Sequence, residues 1–259
     1  MKVTYELNPP KIFNDLTINI NTLNDEIDKF VYRSQIILKY VNALHITDSV
    51  LGVPRISSIH GASIILKNIK NEKIILSCSI RTRDRNINSI IQSVTQAIFL
   101  KINDILFVMG DKPLLYNNIT PEKLSKPTDT ISTLNSLGYN KLINLNLSIP
   151  NKILNSSIIT NKIQSNPYGF ITQSINSLEE VKKLKSLLNP HQIKLIPCIM
   201  IPSEKNTKAA KMIGLNWEEY KDDVLELIFE IGKLVDHILI SSPNDFNEGV
   251  KILKMIKNS

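Results

Sequence analysis

Glycine is scarce in this chain, with eight residues in 259, so a collagen-like fibre with glycine at every third position is excluded. Cysteine is scarcer still. Cys78 and Cys198 each sit inside an apolar, strand-like run with no cysteine or histidine at ligand spacing nearby, which points to buried free thiols and away from a disulfide framework or a zinc site. The four histidines, His45, His60, His191 and His237, lie far apart along the chain, and nothing in their spacing calls for a metal. No apolar run approaches the roughly 20 residues that a bilayer span needs, and the opening "MKVTYELNPPK" has no apolar segment of the kind a secretory leader carries. The expectation is a soluble, cytoplasmic protein without a membrane partner.

Arginine is the other thin category. Of 31 basic residues only Arg33, Arg55, Arg81, Arg83 and Arg85 are arginine, and the lysines are spread along polar helix faces. The net charge of +7 therefore describes a solvated surface, and without a basic stripe interleaved with aromatics it gives no case for nucleic acid. Three of the five arginines fall in "SIRTRDRN" and a fourth in "GVPRISS". Rigid, bidentate donors concentrated at two turns point to a carboxylate or phosphate site.

With 42% hydrophobic residues the chain can bury a large core. Apolar strand-like runs at 2–7, 43–47, 73–80, 104–109, 141–149, 169–175, 194–201 and 237–241 alternate with helical patterns at 3.6-residue spacing. Ser177 with Glu180 has the form of a capping box opening one of those helices, and Gly214 separates two others near 204–213 and 217–234. Continuously apolar strands alternating with helices argue for a parallel sheet covered on its outer face. Eight such units, with no low-complexity linker, predict a single (β/α)8 barrel over residues 1–259. The longest irregular connection, 112–126, has the length of a lid or ligand contact.

Barrels of this type carry their chemistry at the C-terminal ends of the strands. Those ends supply Glu6, Asp48, the turn Arg81 to Asn86, Asp111, Gln173, and Ser241 with Ser242. Glu6 precedes "LNPPK", which turns the chain away. It reads either as a carboxyl raised in pKa by apolar walls, suited to general acid work, or as the ion-pair partner of an arginine. Asp111 follows Gly110, where a backbone can approach a ligand closely, and Gln173 ends the sixth strand.

Taken together, "YELNPPK", "SCSIRTRDRN", "FVMGDKP" and "GFITQS", in that order and each at a strand end, resemble the methylenetetrahydrofolate reductase family in a compact form containing the catalytic barrel alone. The resemblance implies an oxidoreductase of one-carbon metabolism. Hydride would pass from NAD(P)H through a flavin, FAD or FMN, to the methylene carbon of a tetrahydrofolate-like carrier. It further implies Glu6 as the general acid that opens the carrier's ring, Asp111 as the negative charge beside flavin and pterin, and Gln173 as a pterin contact. Asp48, Arg81, Arg83, Asp84, Arg85, Gly110, Asp111 and Lys162 would be cofactor contacts, Lys162 standing eleven positions before Gln173.

The chain departs from the family's pattern on the flavin side: Met109 stands where an arginine is common, the fifth strand ends "NLSIPN" without an aromatic, and Ser174 replaces a bulky residue. Two alternatives therefore stand beside the flavin-dependent reading. One is the same reduction without bound flavin, the electrons coming directly from a nicotinamide or from a redox partner subunit. The other is a barrel subunit of a one-carbon complex without catalysis. Self-association is compatible with all three.

Overall fold

The computed structural model describes residues 1–12, 17–70, 73–112, 125–150 and 156–259, with side chains described from 158 onward in the last segment. Eight parallel strands close into a barrel in sequence order: β1 (Lys2–Leu7), β2 (Ala43–Ile46), β3 (Ile75–Arg81), β4 (Asp104–Val108), β5 (Asn144–Ile149), β6 (Gly169–Ser174), β7 (Lys194–Met200) and β8 (His237–Ser241). β8 returns to β1 through Lys2 opposite His237 and Tyr5 opposite Ile240. The single (β/α)8 barrel read from the alternation is what the chain forms. The predicted sixth strand stops one residue early at Ser174, and the predicted long connection after the fourth falls mostly at 113–124, outside the described residues.

The helices are α1 (Ile20–Ile37), α2 (Ser58–Asn68), α3 (Ile87–Phe99), α4 (Pro127–Ser136), α5 (Ser156–Gln164), α6 (Leu178–Leu188), α7 (Thr207–Ile213), α8 (Val224–Leu234) and α9 (Phe246–Asn258). Local sequence sets their starts. Asn19, Ser57, Asn86, Ser177, Asp223 and Asp245 each accept a hydrogen bond from a backbone N–H in the first turn, satisfying donors the helix leaves unpaired. The expected capping box at α6 is half reciprocal: Glu180 reaches back one residue past the cap and accepts from the backbone N–H of Asn176. Gly214 ends α7 at φ +67°, a conformation that costs other residues energy. The predicted helix over 217–234 begins only at Val224, because Asp223 caps there.

The period of two divides each strand into two faces. One face, including Leu44, Ile46, Leu76, Ile80, Phe107 and Phe170, packs outward under the helices in the main core. Each such side chain contributes about 1.5–3 kcal/mol through burial. The inward face holds a small apolar plug of Leu106, Ile171, Ile196, Cys198 and Leu239. Around the plug the barrel is polar. His45, Ser77, Asp104 and Asn146 line a cavity of about 10 Å³ toward the N-terminal ends of the strands, together with Thr4 and His237. Both cysteines are buried free thiols, as the strand context implied.

Candidate functional site

The candidate site lies at the C-terminal ends of the strands, and its acid comes from β1. Period-two alternation turns Tyr5 out toward α9 and Glu6 inward, opposite His45 of β2. Glu6 Oε1 accepts a 2.7 Å hydrogen bond from the Ser241 hydroxyl at the end of β8. Removal from water raises its pKa above the usual carboxylate range, and the Ser241 bond opposes that rise. No ion pair joins Glu6 to a cation among the described residues. Of the two roles open to this carboxyl, the arrangement is that of a carboxylic acid biased toward its protonated form.

The arginine turn is built from within. Asp48, just past β2 and 5% exposed, is its hub. Its Oδ2 accepts from the Arg81 backbone N–H at 2.9 Å and pairs with the Arg85 guanidinium at 2.9 Å, while Oδ1 accepts from Ser49 N–H. Arg81, itself 8% exposed, grips Asp84 through Nε and Nη2 in a bidentate pair. Asn86 then caps α3. The motif "RTRDRN" is therefore a strand-to-helix turn in which two of the three guanidinium groups are neutralised, Arg81 by a carboxylate three residues on and Arg85 by one from the end of the neighbouring strand. Asp48, Arg81, Asp84 and Arg85, expected from the sequence as cofactor contacts, are thus brought together at one turn, where they bond one another.

Gly110 packs against the same turn. Its φ is +80°, and a Cβ there would stand 2.1 Å from Arg81 Cγ and Cδ. The group that approaches its backbone so closely is the Arg81 stem. The Gly110 carbonyl accepts a 2.9 Å bond from Arg83 Nε, and no ion pair joins Arg83 to a carboxylate among the described residues.

Asp111 is exposed and accepts from the Leu51 backbone N–H at 2.8 Å, joining the loop after β4 to the loop after β2. Leu51 adopts φ +57°, unusual for a leucine, and the Asp111 bond helps hold it there. Gln173 is the one exposed residue of β6. The pairing of β6 with β7 slips between Ile171 and Ser174, so two residues of β6, Thr172 and Gln173, oppose one of β7, Pro197; Thr172 Oγ1 takes the Cys198 N–H at 2.9 Å. This bulge places Gln173 in solvent at the strand's C-terminal end. Lys162 of α5 donates to the Ser148 carbonyl at the end of β5 at 2.7 Å, and burial lowers its pKa.

The barrel thus carries Glu6, Asp48, Arg81, Asp111 and Gln173 on its C-terminal face, as expected: Glu6 is bonded to Ser241, the arginine turn to Asp48 and Gly110, Asp111 to Leu51, and Gln173 is exposed. Sequence reasoning reached Ser241 as a strand end and gave it no role. It missed the inward polar stripe of His45, Ser77 and Ser79, in which the histidine bonds both hydroxyls at 2.8 Å. The signal was present in β3, where Ser77, Ser79 and Arg81 alternate with Leu76, Cys78 and Ile80. Among the described residues no cluster of histidine, cysteine and carboxylate side chains could hold a metal ion. No helix among them is long and apolar enough to cross a membrane.

No family model matches the chain, and no curated protein matches it. Among solved structures it is similar to QR15, an aldolase, at 12% identity and TM-score 0.56 over 98% of this chain and 93% of that one. It is also similar to the GH99 endo-alpha-mannosidase from Bacteroides thetaiotaomicron, at 10% identity and TM-score 0.58 over 99% of this chain and 96% of that one. A second structure of that mannosidase, in complex with BIS-TRIS-propane, gives 14% identity and TM-score 0.56 over 96% and 85%. At such identities the likeness is one of architecture, and it assigns the chain to the (β/α)8 barrel fold.

Proposed function

We propose that the protein reduces the methylene group of a 5,10-methylene-tetrahydrofolate-like carrier to methyl, with NAD(P)H as hydride donor and Glu6 as general acid. The observation that carries this reading is the Glu6 carboxyl: inward on β1, raised in pKa by burial, bonded to a neutral hydroxyl and to no cation. A carboxyl so placed is biased toward its protonated form by burial, as a group that delivers a proton to a leaving nitrogen requires. In the carrier that step breaks the C–N bond of the five-membered ring. The electron pair goes to the nitrogen, the proton comes from Glu6, and an iminium carbon remains to accept hydride. Gln173, with both donor and acceptor groups and an exposed position, suits the amide-like edge of a pterin. Asp111 supplies negative charge near the developing cation.

A resident flavin would supply a hydride relay between nicotinamide and carrier. The described residues do not fit its phosphate end. Arg81 and Arg85 are already matched by Asp84 and Asp48, the Gly110 backbone is covered by Arg81, and position 109 is methionine. What remains of the arginine turn for an anionic group is Arg83, which forms no ion pair among the described residues. One guanidinium suits a carboxylate of a folate's tail. This favours direct transfer from the nicotinamide.

The test is formation of the methyl product from 5,10-methylenetetrahydrofolate by the purified protein with NADH or NADPH, with and without added FAD and FMN. Turnover that ignores added flavin, from a protein without flavin absorbance, supports the reading. Absence of methyl product under every condition removes the reductase. Product that appears only with flavin removes the direct route.

A further inference from the structure

We infer that Ser241 is a positioning residue for the acid: by donating to Glu6 Oε1 it fixes the carboxyl's rotamer and leaves Oε2 as the oxygen that holds and releases the proton. The inference deepens the proposed reductase function, on whose reading of Glu6 as the acid it rests.

The geometry is specific. β1 and β8 are neighbours in the closed barrel, with Tyr5 opposite Ile240, so Glu6 and Ser241 are the next residues along each strand. Ser241 is 3% exposed and lies in the strand, which restricts its side chain. Its hydroxyl meets Glu6 Oε1 at 2.7 Å. The adjacent Ser242 is not a substitute, because its hydroxyl donates to the Asp245 carbonyl at the start of α9.

Other groups around Glu6 are uncharged or turned away. His45 on β2 stands opposite it in register, but burial keeps the imidazole neutral and its two nitrogens are taken by Ser77 and Ser79. Cys198 on β7 is a buried thiol whose pKa burial pushes up. Tyr5, next along β1, is turned toward α9 and is likewise held neutral. Among the described residues, the Ser241 hydroxyl is therefore the hydrogen-bond partner of the acid.

That contact acts differently on the two states of Glu6. Toward the protonated acid it is an ordinary hydrogen bond to a carbonyl-type oxygen. Toward the carboxylate it becomes charge-assisted, roughly twice as strong. As the O–H bond of Glu6 breaks and the carrier's N–H bond forms, the Ser241 bond strengthens. Ser241 thus favours proton release while its direction keeps Oε2 free.

The experiment follows the Glu6 carboxyl by 13C NMR of the full-length protein labelled at glutamate, with Glu6→Gln to assign the signal, in wild type, Ser241→Ala and Ser241→Thr. In Ser241→Ala the Glu6 pKa should rise further, by about one unit, corresponding to about tenfold in the ionisation equilibrium. Ser241→Thr, which keeps the hydroxyl, should restore it. The carrier-reduction rate of Ser241→Ala should fall about tenfold, and the alkaline limb of its pH profile should move up with the acid's pKa, since the acid works only while protonated. A purely structural serine would change thermal stability and leave the Glu6 titration in place, and an unmoved titration in a folded Ser241→Ala protein overturns the inference. The NMR readout needs no turnover: a shifted titration in a protein that reduces no carrier retains the Ser241 contact and removes only the reductase.

Discussion

The two ends of the barrel interior are both polar and differ in what their polar groups are free to do. Toward the N-terminal ends of the strands, beside a cavity of about 10 Å³, His237 is bonded to Thr4 and Asp104 to Asn144, and His45, although in register with Glu6, lines the same cavity with both ring nitrogens bonded, to Ser77 and Ser79. Such a space is about one water in size. Burial lowers the pKa of His45 to about 4 and that of His237 to about 3, so both imidazoles stay neutral. At the C-terminal ends, Glu6 has one bonded oxygen, Gln173 is exposed, and Arg83 forms no ion pair among the described residues. Polarity inside a barrel does not by itself mark a site; the mark is polarity with an unused valence facing an opening.

Several substitutions would break or sharpen that contrast. The largest expected effect is on chemistry. Glu6→Gln should reduce carrier reduction by about 10²–10⁴-fold, the usual range for a general acid, while His45→Gln should leave turnover per folded molecule within about threefold. Equal losses in both variants, in a product assay corrected for folded fraction, would erase the distinction between the two ends.

Next is the hub of the arginine turn. Asp48→Asn removes the charge that holds Arg85 and weakens the acceptor for the Arg81 backbone N–H, and should cost about 3 kcal/mol of stability, read by chemical denaturation. An unchanged midpoint would mean the turn does not depend on its carboxylate.

The third effect concerns acid. His45 has a folded pKa of about 4 against an ordinary 6.5. Between those values the unfolded chain binds a proton that the folded chain does not, so stability falls as pH drops through that window, by up to about 1.4 kcal/mol per pH unit. His45→Gln should flatten the slope. A pH-stability curve identical in both proteins would place the acid sensitivity elsewhere. Smallest is Arg83→Ala, which should weaken carrier binding by about tenfold at low ionic strength and less in high salt, as expected of one anion contact near the surface. Salt-independent binding in both proteins would return Arg83 to a role in tethering Gly110.

The architecture was legible because hydrophobic periodicity reports burial directly: eight apolar runs gave eight strands, within a few residues at their ends. The positions of Glu6, Asp48 and Asp111 at strand ends followed from the same reading. Their partners did not, since pairing depends on register. Nothing local in "SIRTRDRN" says that Arg81 will fold back on Asp84, or that Asp48 from the neighbouring strand will take Arg85. The exposure of Gln173 depends on a bulge that the run "GFITQS" does not announce. Nothing at Gly110 announces that the Arg81 stem packs against it.

The most direct test of hydride reaching a methylene carrier at this mouth uses nicotinamide carrying deuterium at the transferred position of C4, with the methyl product examined by mass spectrometry. The account predicts one deuterium per methyl group, retained in ordinary water. A methyl product whose label has washed out to solvent would contradict direct transfer and indicate an exchangeable relay, and the absence of any methyl product would contradict the reductase itself.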